Sequence, residues 1–262
     1  IWVKQIGGVG FDVAKDITTD TNGDILVTGS FEGTVDFGGT TLTNANAASF
    51  GDIFVARYTG DGNLTWVRRD GAPFVNDVGN SITVDATQNI YIAGSSTIGT
   101  FAGTTLTNHG RVLLAKYDGL GNQVWARKAG AGVGGAQDTG HSVAADGSGN
   151  VFLAGTFFSS AFTNDTTVLT SRGFSDGFLA KFDGNGNPQW IRQIGSNGAD
   201  SAAAIATDGD NVILAGDFSA TNVFGSVTLV SEGGILSDGF VVKYDSSGSV
   251  VWAQRLGGAG AD

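Results

Sequence analysis

Cysteine and methionine are absent from these 262 residues, and proline and histidine occur only twice each. Without cysteine there is no disulfide, no thiolate nucleophile and no thiolate metal site. The two histidines, His109 and His141, fall in different parts of the chain, so no histidine-based metal or proton-transfer motif forms in sequence. There is no GxSxG, no HExxH and no phosphate-cradling glycine loop ahead of a helix. No apolar run approaches the roughly 20 residues that span a bilayer. Basic residues are also scarce, 14 against 25 acids, for a net charge of −11. That balance offers phosphates no basic face and excludes nucleic acid as a partner. Glutamate is nearly missing too, with Glu32 and Glu232 alone; the acids are aspartates, which belong in turns rather than helices. The chain begins with Ile and holds no Met, so its natural start is expected to lie elsewhere, and export stays open.

What is abundant is glycine, 43 residues, set between short apolar runs, with 41% of the chain hydrophobic. All five tryptophans sit in one recurring sentence: IWVKQIGG, TWVRRDGA, VWARKAGA, QWIRQIGS and VWAQRLGG. Trp2, Trp66, Trp125, Trp190 and Trp252 are spaced by 64, 59, 65 and 62 residues. A repeat of this length sets the fold before any motif does, because a residue recurring in every unit usually serves the architecture.

Each unit divides into four apolar stretches. The first reads DITTD, SITVD, SVAAD and AIATD; the second DILVTGSF, NIYIAGSS, NVFLAGTF and NVILAGDF. The third reads IFVARY, VLLAKY, GFLAKF and GFVVKY, and the fourth carries the tryptophan. Their length, β-branched content and flanking Gly and Asn predict strands joined by tight hairpins. Four antiparallel strands per repeat predict an all-β β-propeller of four-stranded blades. The strings W-x-[KR]-x-IGG-x-G-x-D, G-N-[IV]-x-[LIV]-[TA]-G and D-x-F-[LV]-A-[KR]-[YF] resemble the bacterial SBBP-type β-propeller repeat over essentially the whole chain. That resemblance implies exported or surface proteins and no catalytic residues.

The expected organisation is a single propeller region over residues 1–262, with blades at about 12–71, 77–130, 138–195 and 200–257. Residues 1–8 would be the last strand of a preceding blade. The first tryptophan strand is then surplus to four full blades. Either the chain is part of a larger ring or array, or the surplus strand joins a neighbouring copy.

Most charged residues recur with the repeat. Arg57, Lys116, Lys181 and Lys243 close the third strand, and Lys4, Arg68, Arg69, Arg127, Lys128, Arg192 and Arg255 follow the tryptophans. On the outer edge of a blade such charges would block unwanted pairing. The recurring Asp12, Asp77, Asp138, Asp200 and Asp262 precede the innermost strand. They would either cap their own glycine-containing loops or line a cation or ligand site at the channel mouth. Asp20, Asn22 and Asp24 space oxygens as a calcium loop does, but Ile25 stands where that loop needs glycine, so a tight turn is expected, with calcium a possible cofactor and no other.

The loops between the second and third strands are long and varied and share a face with the interblade loops. They hold the contact candidates Glu32, His109, Arg111, Arg172 and Glu232. Phe37–Leu42 and Phe101–Leu106 repeat one pattern and predict a small β-excursion. The resulting expectation is a non-catalytic extracellular or cell-surface protein, structural or adhesive, a building block of a surface layer or filament. Its partners would be other copies or neighbouring propeller segments, with surface glycan or protein as a further possibility. Alternatives are a carbohydrate- or protein-binding module and a glycan-acting enzyme, for which no carboxylate pair stands out.

Overall fold

The computed structural model describes the chain apart from residues 46–49, 102, 107–109, 131–136, 159–161, 164–166, 233–236, 259, 261 and 262, and the side chains of 162 and 163. Every described element is a strand, and no helix is long and apolar enough to cross a membrane. Four sheets each hold four strands in sequence order. The first contains Val13–Thr19, Ile25–Phe31, Asp52–Tyr58 and Leu64–Asp70, and the second Val78–Val84, Ile90–Ser95, Val112–Tyr117 and Gln123–Ala129. The third contains Thr139–Ala145, Val151–Phe157, Asp176–Phe182 and Pro188–Ile194, and the fourth Ser201–Asp208, Asn211–Phe218, Asp238–Tyr244 and Val250–Leu256.

The chain divides into two compact units, residues 1–107 with 113–127, and residues 108–112 with 128–262. In the first unit, Leu26, Val55 and Trp66 of the first sheet share an apolar cluster with Ile82, Ile92 and Tyr117 of the second. In the second unit, Phe152, Leu179 and Ile194 share one with Val212, Leu214 and Phe240. Strands Asp52–Tyr58 and Asp176–Phe182 are buried at every position, which is why their sequences run apolar without alternation.

The glycine of the second strand has a steric cause. In each sheet the first strand bulges, between Ala14 and Asp16, Gly79 and Ser81, Gly140 and Ser142, and Ala202 and Ala204. The bulge drives a carbonyl against Gly29, Gly94, Gly155 and Gly216, where any Cβ would overlap the oxygen of Val13, Val78, Thr139 or Ser201.

The long loops carry the expected excursions, two-stranded hairpins at Thr34–Asp36 with Thr41–Thr43, Thr100–Phe101 with Thr104–Thr105, Phe162–Thr163 with Val168–Leu169, and Thr221–Phe224 with Val227–Val230. Phe37, Phe101 and Phe224 are buried beneath them. Residues 1–6 form no strand, and Gly7–Gly8 pairs with Thr34–Asp36.

Candidate functional site

Three tryptophans reach into the three–four hairpin of the sheet that follows them. Trp2 Nε1 donates to Gly60 O at 2.9 Å, Trp66 Nε1 to Gly119 O at 3.2 Å, and Trp190 Nε1 to Ser246 O at 3.1 Å. The arginine two residues later follows it. Arg68 Nε donates to Gly121 O and its NH2 to Leu120 O, and Arg192 makes the same bonds to Gly248 O and Ser247 O. Both guanidiniums also lie over the indole of their own tryptophan, at 5.4 and 5.1 Å. The strand-three cations join in, with Arg57 NH1 on Gly119 O and Lys181 Nζ on Ser246 O. These cations therefore do more than guard an edge: they satisfy the carbonyls of a neighbouring turn.

The aspartates are turn clips. Asp85 Oδ1 accepts the N–H groups of Thr87 and Asn89, and Asp146 Oδ1 those of Ser148 and Asn150. Asp118, Asp183 and Asp245 repeat the arrangement in the three–four hairpins. Burial raises the Asp85 pKa, yet the hydrogen bonds from Asn89, Thr87 and Tyr91 outweigh it and hold the carboxyl below its usual value.

The Asp12 set clips the interblade loop to the end of the second strand. Asp12 accepts from Gly8 N and Glu32 N, Asp77 from Ala72 N and Thr97 N, and Asp200 from Ser196 N and Ser219 N. Asp138 accepts from Phe158 N. Asp77, Asp138 and Asp200 are buried. Burial pushes Asp200 up to about 6, against the pull of its two N–H donors. Asp262 lies outside the described residues. In the calcium-like string, Asp20 Oδ1 accepts from Asn22 N and Asp24 N, an Asx turn, and Arg57 pairs with Asp20 and with Asp24, the latter at 2.9 Å. The guanidinium stands between the two acids. Among the described residues, no three His, Cys, Asp or Glu side chains gather as a metal-binding group.

Of the loop candidates, Glu32 Oε2 accepts from Phe11 N, which brings it to the Asp12 loop. Arg172 NH1 donates to Gly195 O, and Glu232 pairs with Arg255. Arg111 stands just before the second sheet's third strand, at the sequence position that Asp52 holds in the first. His109 lies outside the described residues. Sequence reading passed over one recurring pair. In the first, third and fourth sheets the residue three beyond the tryptophan reaches the buried aspartate that opens strand three: Arg69 to Asp52 at 2.8 Å, Gln193 to Asp176, and Arg255 to Asp238 at 3.3 Å. The signal was present in the D-x-F string, whose aspartate recurs without lying in a turn.

Comparison with known proteins agrees with this architecture. A family model described as SBBP β-propeller repeat matches residues 1–30, 65–101 and 124–156. An uncharacterized WD repeat-containing protein of Acanthamoeba polyphaga mimivirus is 26% identical, over 97% of this chain and 23% of its own length. The chain thus spans about a quarter of that relative. The three matched segments hold the first-strand, second-strand and tryptophan strings described above, and over those segments this all-β chain is similar to the SBBP β-propeller repeat.

Proposed function

We propose that the chain is a non-catalytic repeat scaffold, exported to the cell surface, that assembles with other copies of itself through the face bearing its excursion hairpins and interblade loops. The observation that carries this reading is Phe74. It projects from an interblade loop 76% exposed, on a backbone with φ of 68°, a left-handed conformation that a bulky residue seldom adopts. Phe11 is exposed in the corresponding loop one repeat earlier. Solvent-facing aromatics held in this way mark contact surfaces. The groups able to do chemistry are, by contrast, spent on turns and joints. The wider propeller and WD-repeat likeness favours protein contact over glycan binding.

The test is sedimentation of the purified chain across a concentration series. Self-association that disappears in Phe11→Ser/Phe74→Ser, with an unchanged circular-dichroism spectrum, supports the reading. A strict monomer that turns over a glycan substrate overturns it.

A further inference from the structure

The joints within the two units are not equivalent. In the first unit, the buried Tyr117 hydroxyl donates to the carboxylate of Asp70, at the end of the preceding sheet's fourth strand. Gln123 Nε2 donates to the other oxygen of that carboxylate. Burial pushes Asp70 up to about 6, while the Tyr117 hydroxyl and the Arg69 charge pull it down. The acid, the tyrosine and the amide fill the joint between them.

In the second unit the same three positions are Ile194, Tyr244 and Val250. The tyrosine is kept and both of its companions are aliphatic. Tyr244 is 3% exposed, and no described residue hydrogen-bonds to its hydroxyl. It lines a groove of about 410 Å³ with Arg192, Gln193, Phe224, Gly248 and Val250. That volume suits a small ligand, for which pockets of roughly 300–1,000 Å³ are usual. Arg192 is anchored by the carbonyls of Gly248, Ser247 and Ile191, at 2.8, 3.1 and 3.0 Å. A guanidinium has five N–H groups, so two stay available. No residue lining the groove is acidic.

We propose that this groove binds a small organic carboxylate with an apolar body, the carboxylate serving the Tyr244 hydroxyl as Asp70 serves that of Tyr117. It accepts the Tyr244 hydroxyl and faces the Arg192 guanidinium, and the apolar body lies on Phe224 and Val250. Charge-assisted hydrogen bonds from both donors select the anion over its neutral amide. This site goes beyond the assembly reading and does not depend on it.

Titration of the purified chain with benzoate and with N-acetylphenylalanine, followed by amide chemical shifts, tests the proposal. Saturable shifts at 223–225 and 244–250, with a Kd on the order of 1 mM, are expected. Benzamide should bind about tenfold more weakly, as should benzoate to Tyr244→Phe, for the loss of one charged hydrogen bond. Ile194→Asp restores the internal acid and should abolish binding. Tyr244→Phe, which keeps the ring, decides the matter if Ile194→Asp does not fold. Tighter binding of N-acetylphenylalanine assigns a peptide carboxyl terminus, and tighter binding of benzoate a free acid. Equal affinity for benzoate and benzamide, unchanged binding by Tyr244→Phe, or the absence of saturable shifts overturns the proposal.

Discussion

The indole nitrogen of Trp66 donates to the carbonyl of Gly119, a residue of the next sheet's three–four hairpin, at 3.2 Å. The ring lies flat against the same turn, so a Cβ on Gly121 would come within 2.7 Å of it. Gly121 also has φ of 76°, and so meets two demands at once. Gly149, in a one–two hairpin, has φ of 81° with nothing within 4 Å of its Cβ position. Urea unfolding should separate the two demands. Gly149→Ala should cost roughly 1–2 kcal/mol for the backbone alone, and Gly121→Ala about 2–4 kcal/mol with overpacking added. Equal losses would mean that the tryptophan yields freely.

Arg57 ties the Asp20–Asp24 turn of its own sheet to Gly119 and Gln88 of the next. Arg57→Met should destabilise by about 3–5 kcal/mol, because it leaves the buried Asp20 charge uncompensated. In an Asp20→Asn/Asp24→Asn background the same change should cost far less. A double-mutant cycle measures the difference, and an additive result would show that the ion pair contributes nothing.

The interblade loop depends on its clip. Asp200→Ala strips the acceptor from the N–H groups of Ser196 and Ser219, at about 1–3 kcal/mol for each buried donor left unsatisfied. Asp200→Asn keeps one acceptor and should lose roughly half as much. Limited proteolysis should cut the alanine variant first at residues 195–199. Since these carboxylates already serve backbone N–H groups, chelator and added calcium should leave the melting temperature unchanged. A rise with calcium would assign a metal to the acids.

Stability should depend on pH through Asp70 and Asp200. Both rise from 3.8 to about 6 in the folded chain, chiefly through burial. Between pH 4 and 6 the folded state therefore keeps protons that the unfolded state has released. The associated stability is complete below about pH 4 and is lost as pH rises through about 6. Each pKa unit is worth about 1.4 kcal/mol. These two acids should make the melting temperature higher at pH 5 than at pH 7.5, against the opposite pull of His141, whose pKa burial lowers, and Asp70→Asn with Asp200→Asn should remove their share of that slope. Scanning calorimetry at the two pH values decides it.

Strand count and hairpin positions were legible because glycine, asparagine and the tryptophan phase mark every turn. The reach of the side chains was not. Arg68 looks like an edge charge until the carbonyls of Leu120 and Gly121, more than fifty residues on, are seen to accept from it. The strand-two glycine recurs visibly, but its cause is a bulge in the strand before it, which no residue type announces. Among the site candidates, the Asp12 set was legible as recurring acids, but their partners lie some twenty residues away, across the sheet end.

The joints run one way. A tryptophan and an arginine from an earlier repeat seat in a hairpin made later, as Trp66 and Arg68 do at residues 119–121 and Trp190 and Arg192 at residues 246–248. On the ribosome, each plug must then emerge some fifty residues ahead of its socket. Every repeat waits, with its indole in water, for its successor to be translated. Nascent-chain folding should therefore advance in steps of one repeat, each completed hairpin closing the sheet before it.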